Sequence, residues 1–172
     1  MSAVQLVETA VDLVQAHLKS GISSALGDVR TLRTDAKVTT EPPHTTSWFI
    51  YERPMAYKCP AVLLIARETD FQEDTEKPNH INAVHDLAVA VVVEDKDQER
   101  LVRKSWRYQS ALYKLLHRAR LTTGDGAVSL TVIVRRATFS PEFTDSGKEG
   151  DPQGVFRKEV LFTCQVRHRE ND

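Results

Sequence analysis

The run from Leu87 to Val93 constrains the fold of this chain more than any other segment. It reads Leu-Ala-Val-Ala-Val-Val-Val, apolar throughout and rich in β-branched side chains. β-Branched residues favour extended backbone, and an apolar run without polar alternation is typical of a strand covered on both faces. The run therefore predicts a strand at the centre of a sheet, and residues 80–86 are compatible with its upstream extension.

An amphipathic helix is predicted near the start of the chain. One stripe of that helix carries apolar residues at spacings of three and four: Val4, Val7, Val11, Val14 and Leu18. Ser20-Gly21 is expected to end or bend the helix, and Gly27 to stop a short further turn. A helix with such a face must pack against another element, most simply a sheet.

A second helix is predicted from Asp95 to Ala119. Asp95 is a favourable N-cap residue, and Gln98 completes a capping-box pattern three residues later. Its apolar face comprises Leu101, Tyr108, Leu112 and Leu115, with Ser105 between them. This helix is also expected to pack on the sheet.

The remaining strands are predicted from apolar runs and from alternation. Residues 48–51 read as a strand that Pro54 ends, and residues 61–66 read as a strand covered on both faces. Residues 128–135 and 156–167 alternate apolar and polar side chains, which is typical of an antiparallel pair with one solvated face.

These elements predict an α+β fold: a mainly antiparallel sheet with two helices packed on one face and a long C-terminal β-hairpin. The chain has 172 residues, which fits a single domain spanning residues 1–172. Hydrophobic residues make up 41% of it, a share typical of a globular protein. The formal net charge of -1 argues against nucleic-acid binding through bulk positive charge.

The two cysteines, Cys59 and Cys164, are too few for a disulfide-rich secreted scaffold. We expect both to be reduced, partly buried thiols in an aqueous, reducing compartment. The first residues, Met1-Ser2-Ala3, lack the basic region of a signal peptide, and no apolar run approaches the roughly 20 residues that cross a bilayer.

The sequence predicts no catalytic, cofactor-binding or metal-binding centre. It contains no Gly-x-Ser-x-Gly elbow, and Gly124-x-Gly126 precedes a strand instead of opening the helix that a phosphate loop needs. Cys164 lies within a predicted strand, where a thiol is inert. His80 and His85 would lie on opposite faces of a strand, and the other histidines are interpreted as surface side chains.

The second helix carries a basic stripe on the side opposite its apolar face. Its members are Arg100, Lys104, Arg107, Lys114 and Arg118. Three interpretations remain open: a solvated helix face, pairing with an acidic patch such as residues 67–79 of another subunit, or contact with nucleic-acid phosphates. Trp106 lies between these positions and is interpreted as a packing residue.

Two long loops supply the other candidate contacts with partners. Residues 67–79 are predicted to form a polar loop in which Phe71 is the one large apolar residue, and residues 140–153 to form a long excursion that carries Phe143. The acidic residues around Phe71 are Asp70, Glu73 and Asp74. Because aromatic anchors dominate the energetics of interfaces, we expect both loops to contact partners.

The order of elements also carries a family resemblance. After the N-terminal helix come an aromatic strand, Trp48 to Glu52, and an apolar strand that runs into an acidic segment, Val62 to Asp74. The strand Leu87–Val93 continues through an acidic turn, residues 94–99, into a helix whose face of aromatic and small side chains spans residues 106–116. With the two final strands, this pattern resembles the tail-terminator and tail-to-head joining proteins of long-tailed bacteriophages.

The resemblance implies a structural virion protein without enzymatic activity or cofactor. Such proteins form rings, usually hexamers, that terminate the tail tube and join it to the head connector or stopper protein, while DNA passes through the lumen without sequence readout. The implied location is the tail or neck of the virion, after assembly in the host cytoplasm, without membrane contact. Head-closure and neck-ring proteins of the same junction are one alternative, and a small nucleic-acid-binding module that uses the basic stripe is another.

Overall fold

The computed structural model describes residues 6–35, 37–50, 57–73, 81–143 and 154–170. Helix α1 spans Leu6–Leu32 and helix α2 spans Gln98–Leu116. The strands are β1 (Trp48–Phe49), β2 (Ala61–Glu73), β3 (Ile81–Asp95), β4 (Arg120–Thr122), β5 (Val128–Phe139) and β6 (Phe156–Glu170).

Within these described ranges, the strands form one six-stranded sheet in the order β1-β2-β3-β6-β5-β4. The pair β1–β2 is parallel, and the other neighbouring pairs are antiparallel. Strand β3 contains Leu87–Val93 and lies between two long strands, which confirms its predicted central position. The predicted α+β class, with helices on one face and a long C-terminal pair β5–β6, is confirmed as well.

Alternate side chains of the two central strands form the core beneath the helices. On β3 and β6 these are Leu87, Val89, Val91, Val93, Val160, Phe162, Cys164 and Val166, all buried. The helices contribute Val14, Leu18, Ile22, Leu101, Tyr108 and Leu112 to the same cluster. The period-two spacing of the strands and the three-to-four spacing of the helices place these residues on facing surfaces, so the apolar area leaves water on folding.

The opposite face of the sheet has a smaller buried cluster at one end. It consists of Leu63, Ala90 and Val92, with Phe143 and Leu161 packed against it. This cluster explains why the apolar runs of β2 and β3 show no polar alternation, because these residues are covered on the second face as well.

Helix α1 continues without interruption through Gly21 and Gly27, so the predicted break is wrong. Gly21 faces helix α2, and a Cβ atom at this position would lie 2.6 Å from Cδ2 of Leu115. The absent side chain lets the two helices approach closely. This contact offsets the helix-propensity cost of a mid-helix glycine, which is about 1 kcal/mol.

The two helices run antiparallel across the sheet. In the middle of α1, the Nε2 atom of His17 lies 2.9 Å from the carbonyl oxygen of Leu115 near the end of α2. Beyond the end of α1, the carbonyl oxygen of Val38 accepts a hydrogen bond of 2.7 Å from Arg107, in the middle of α2. These two contacts fix the relative direction of the helices.

Strand β2 is longer than predicted, and the expected loop at residues 67–79 is therefore wrong for residues 67–73. These residues continue β2 and pair with β3, after a bulge between Ala66 and Glu68. Most side chains of this extension are exposed, so it lacks the apolar alternation that identifies a strand from sequence. Residues 74–79 lie outside the described residues.

The start of helix α2 also differs from the prediction. Asp95 is the last residue of β3, because the antiparallel pairing of β3 with β6 continues to Asp95 opposite Phe156. The N-cap is Asp97, whose side chain accepts a hydrogen bond of 2.8 Å from the backbone N–H of Arg100. Both residues are aspartates, and only the extent of the strand decides which of them caps the helix.

Strand β1 and the predicted excursion at residues 140–153 also differ from the prediction. Strand β1 comprises Trp48 and Phe49, with Ile50 in a bend, and Tyr51 lies outside the described residues. Residues 140–143 do not leave the fold as an excursion, since Phe143 forms a β-bridge with Arg157 of β6. Residues 144–153 lie outside the described residues.

We expect opposite effects from substitutions at the two glycines of α1. Gly21→Leu should lower the free energy of unfolding by roughly 1–3 kcal/mol, because the new side chain overpacks the contact with Leu115. Gly27→Ala, the control, should raise it by roughly 0.5–1 kcal/mol, because the nearest atom to its Cβ would be a flexible Arg30 nitrogen at 3.9 Å. Urea denaturation measures both. Equal stabilisation by the two substitutions would contradict the close contact.

Candidate interaction surfaces

The basic stripe of helix α2 is largely paired with acidic groups of its own chain. Asp95 binds Arg100 at 2.9 Å and Lys104 at 2.9 Å, and Lys104 also donates to the carbonyl oxygen of Glu94 at 3.0 Å. Arg103 pairs with Glu99 at 2.8 Å one turn away, in an exposed i,i+4 pair. The helix therefore presents less free positive charge than its sequence suggests.

Arg107 does not lie on the solvated side of α2, so this part of the predicted basic stripe is wrong. Its side chain is buried and donates hydrogen bonds to the carbonyl oxygens of Asp35 and Val38, at 3.4 and 2.7 Å. The guanidinium thereby satisfies carbonyl groups of the segment that follows α1. Arg107 is a structural residue that ties this segment to α2.

Asp95 is the shared partner that organises the junction between β3 and α2. Burial alone would raise the pKa of its carboxyl group, but hydrogen bonds from the Asp97 backbone N–H and from Lys104 and Arg100 lower that pKa to about 2. The carboxylate stays charged in the folded protein and holds the first turns of α2 against the end of β3.

The segment around Phe71 lies at the far end of the β2–β3 ribbon. Phe71 pairs with Ala83, is 73% exposed, and stands beside the exposed residue Asp70. The backbone of Glu73 ends β2, while Asp74 lies outside the described residues. Phe71 is thus exposed as expected, although it stands on a strand and not in a loop.

Phe143, the second predicted aromatic anchor, does not lie in an exposed loop. It exchanges two backbone hydrogen bonds with Arg157, of 3.0 and 2.8 Å, and its ring packs against the cluster of Leu63, Ala90 and Val92. Its side chain is half-buried, so the prediction of an exposed loop aromatic is wrong here. Phe143 covers the second face of the sheet.

An open groove lies between the C-terminal end of α1 and the middle of α2. It has a volume of about 560 Å³ and is lined in part by Leu32, Trp106, Arg33 and Arg103. Leu32 is 81% exposed and Trp106 is 52% exposed, so the interpretation of Trp106 as a packing residue is wrong. The groove combines exposed apolar side chains with arginines on its rim. Sequence reasoning missed it because α1 was expected to end before Leu32.

A small cavity of about 190 Å³ lies beside Cys59, between the start of β2 and helix α2. Burial, reinforced by the charge of Glu94, raises the pKa of the Cys59 thiol to about 12, and burial raises that of Cys164 to about 12. Both cysteines are free and protonated at neutral pH, as expected of reduced, partly buried thiols. A protonated thiol is a poor nucleophile.

Two histidines meet inside the helix-covered side of the sheet, contrary to their interpretation as surface residues. His85 of β3 and His168 of β6 are both buried, with Nε2 of His85 lying 3.4 Å from Nδ1 of His168. Thr69 of β2 completes the row, since its hydroxyl lies 2.9 Å from Nδ1 of His85. Burial lowers the pKa of both imidazoles, to about 4 for His85, so both are neutral at pH 7. His80 lies outside the described residues.

Neither a metal centre nor a membrane span is found in the part of the chain that the structure describes. Among those residues, no group of three or more histidine, cysteine, aspartate or glutamate side chains is placed to hold a metal ion. Neither α1 nor α2 combines the length and the apolar character that crossing a bilayer requires.

Comparison with known proteins gives a structural neighbour of low similarity. No protein-family model matches the chain, and no curated protein matches it. One solved structure that resembles it is a chain described as "Virion of native gene transfer agent (GTA) particle", at 14% identity and a TM-score of 0.42. The alignment covers 90% of this chain and 95% of that one.

We expect Asp95→Ala to lower the free energy of unfolding by about 2 kcal/mol, because it removes several charge-assisted hydrogen bonds at a site where the carboxylate is only 12% exposed. Glu99→Ala is the matched control, since Glu99 and Arg103 are 75% and 50% exposed. It should change stability by about 0.5 kcal/mol or less. Equal losses for the two variants in urea denaturation would show that the junction does not depend on Asp95.

The buried histidines predict a loss of stability in mild acid. Because their pKa values are lowered in the folded state, the unfolded chain binds protons more readily. Their contribution is complete above pH 6.5 and is lost as the pH falls towards 4, by on the order of 3 kcal/mol for His85 at about 1.4 kcal/mol per pKa unit.

Urea denaturation between pH 7 and pH 4.5 tests this dependence. A double variant with His85→Leu and His168→Leu keeps similar side-chain volumes and should flatten the curve in this range. His44→Ala, at an exposed histidine, should leave the curve unchanged. A double variant with the same pH dependence as the wild type would rule out the pair as its source.

Proposed function

We propose that this chain is a structural protein of a phage-like virion. In this proposal, six copies of the chain assemble into a ring at the junction of head and tail. In this role it terminates the tail tube and joins it to the head connector or stopper protein, and DNA passes through the ring without sequence readout. The resemblance in element order suggests this role, and the features below support it independently.

The main support for the proposal is that both edges of the sheet are only partly paired with other strands. Strand β1 pairs with only Val62 and Leu63 of the thirteen-residue strand β2. At the other edge, β4 covers β5 from Ser129 to Thr131, and the backbone of Ala119 bonds Val132. In the described part of the chain, no strand pairs with the outer sides of residues 64–73 and 133–139. Such edges favour pairing with further chains.

Rings require a contact between two different surfaces of the subunit. The two edges of this sheet are different surfaces, and they carry different charges. Arg67, Glu68 and Asp70 are exposed on the β2 edge, which leaves it an excess of negative charge, while Arg135 and Arg136 are exposed on the β5 edge. This complementarity favours a head-to-tail arrangement of copies over a contact between identical edges.

The internal pairing of the basic stripe argues against the alternative of a nucleic-acid-binding module. Arg100 and Lys104 share Asp95, and Arg107 is buried among backbone carbonyl groups. Phosphate contacts require arginine and lysine side chains that can exchange counterions for the nucleic acid. A structural role is favoured over catalysis by a cysteine as well, because the thiol of Cys59 is protonated at neutral pH.

Native mass spectrometry and negative-stain electron microscopy of the purified chain test the proposal. We expect ring-shaped particles whose mass is a multiple of 19.4 kDa, formed by the chain alone or after mixing with tube and connector proteins of the same particle. A monomeric protein of similar mass serves as the control for non-specific association during ionisation. A chain that stays monomeric at micromolar concentration, both alone and in those mixtures, contradicts the proposal.

A further inference from the structure

The two free edges of the sheet run in opposite directions. In the described part of the chain, the free β2 edge comprises residues 64–73 and the free β5 edge comprises residues 133–139. Each of the pairs β2–β3, β3–β6 and β6–β5 is antiparallel, so β2 and β5 point opposite ways. If a second copy continues this sheet with its helices on the same side, its β5 edge meets the β2 edge as an antiparallel pair, the more stable kind of strand pairing.

Along β2, alternate residues point their backbone N–H and C=O groups away from β3. Val62 is one of them, since its N–H donates a hydrogen bond of 2.9 Å to the carbonyl oxygen of Ser47, just before β1. Phe71 is another, because its partner on β3 lies eight residues from the partner of Val62, an even number. Beyond Leu63, no strand of the described chain pairs with these outward groups, and a further strand would satisfy them.

The same alternation applies to β5. Val132 points its backbone groups outward, since its N–H donates a hydrogen bond of 2.9 Å to Ala119 and its carbonyl oxygen accepts one of 2.8 Å from Arg118. Val134, two residues later, points outward as well, beyond the part of the edge that β4 covers. Both edges therefore offer backbone donors and acceptors to a partner strand.

The side chains of the two edges fall on matching faces. Phe71 and Val134 point to the helix-covered face, because both are in register with core positions of the neighbouring strands. Asp70 and Arg136 point to the opposite face, one position out of phase with that core. A sheet that continues from one copy to the next thus brings the two apolar side chains to one face and the two opposite charges to the other.

Strands that already cover parts of both edges limit the register. If the next copy continued the sheet without displacement along the strands, Phe139 would lie opposite Val62, which β1 already pairs. Only a displacement by an even number of residues keeps the side chains on matching faces. A displacement of two residues towards the far end of β2 would place Val132 opposite Phe71, where the segment before β4 occupies the edge. A displacement of four residues, roughly 13 Å, is the smallest that places Phe71 opposite a free residue of β5.

With this displacement, the residues that meet are complementary. Val134 is level with Leu87 of β3, four residues from the level of Phe71, so the two apolar side chains come to lie opposite each other. By the same count, Arg136 comes to lie opposite Asp70. Apolar and oppositely charged cross-strand pairs both stabilise antiparallel sheets.

We propose that β2 of one copy of this chain pairs antiparallel with β5 of the next copy, displaced by four residues, so that Asp70 faces Arg136 and Phe71 faces Val134. This inference rests on the proposed function, since it specifies the contact between neighbouring copies of the ring. The sheets then join around the ring, and the displacement at each contact tilts the strands against the ring axis, as in a β-barrel. The charges disfavour the pairing of two β2 edges or of two β5 edges, which would bring like charges together.

Disulfide formation between an Asp70→Cys chain and an Arg136→Cys chain is the direct test. Because the outward backbone groups belong to Phe71, Asp70 and Arg136 form a non-hydrogen-bonded pair, whose Cα atoms lie about 4.5 Å apart. This distance is within the range of about 4.4–6.8 Å that a disulfide requires. We expect the mixture to give a disulfide-linked dimer on a non-reducing gel after mild oxidation. The wild-type chain and each variant alone, which keep the free residues Cys59 and Cys164, should give none.

Two further variants report the register. Ile133→Cys and Thr138→Cys place a thiol on the same face of β5 as Arg136. They would lie opposite Asp70 only if the displacement were two residues or six residues, respectively. Mixed with the Asp70→Cys chain, each should therefore cross-link about fivefold less than Arg136→Cys, because diagonal neighbours lie about 7–8 Å apart. More cross-linking by either variant than by Arg136→Cys would overturn the proposed register.

Charge exchange tests the same contact without cysteines. Asp70→Arg and Arg136→Asp should each weaken self-association in sedimentation velocity by about fivefold, because like charges then face each other. The two substitutions in one chain should restore association to within about twofold of the wild type, since every contact regains an opposite pair. Asp12→Arg, at an exposed carboxylate of α1, is the matched control and should change association by less than about twofold. Unchanged circular dichroism and thermal midpoints establish that the variants fold.

The outcomes separate this inference from the proposed function. If the wild-type chain forms rings but residues 70 and 136 do not cross-link, the β2–β5 contact is wrong and the ring function stands. Efficient cross-linking of the Asp70→Cys chain with itself would indicate a contact between two β2 edges and would also overturn the inference. If the wild-type chain never assembles, alone or with tube and connector proteins, both proposals fail.

Discussion

The antiparallel pairing of β3 with β6 is the interaction on which the rest of the structure depends. It runs without a bulge from Asn82 opposite Arg169 to Asp95 opposite Phe156. Both helices cover the apolar side chains on one face of this strand pair. Strand β2 pairs with the outer side of β3, and strand β5 pairs with the outer side of β6. The same register brings His85 beside His168 and leaves Asp95 at the end of a strand, where it can bind the first turns of α2.

The sequence predicts the elements whose apolar pattern is local. The unbroken run Leu87–Val93 identifies the central strand, and the spacing of Leu101, Tyr108 and Leu112 identifies the buried face of α2. Each of these patterns arises because neighbouring residues face one hydrophobic layer, so the signal is present within a short window of sequence.

The features that the sequence does not predict depend on partners distant along the chain. Gly21 stays within a helix because Leu115 packs against it, and Arg107 is buried because carbonyl groups about seventy residues away accept its hydrogen bonds. His85 and His168 come together only through the register of two strands. None of these contacts produces a periodic pattern in the sequence. Residue propensities and motifs alone therefore predict a helix end at the glycine, and solvated side chains for the arginine and the histidines.

The exposed end of the β2–β3 ribbon shows how local and long-range requirements combine. An extended, partly unpaired edge strand invites pairing with other chains, and charged side chains such as Arg67, Glu68 and Asp70 limit such pairing where it is not wanted. Phe71 interrupts this charged segment with a large exposed apolar ring. A side chain that serves only to keep an edge soluble would be polar. Because backbone alternation turns Phe71 to one face of the sheet and Glu68 and Asp70 to the other, the ring can pack against a partner on one face while the carboxylates stay solvated on the opposite face.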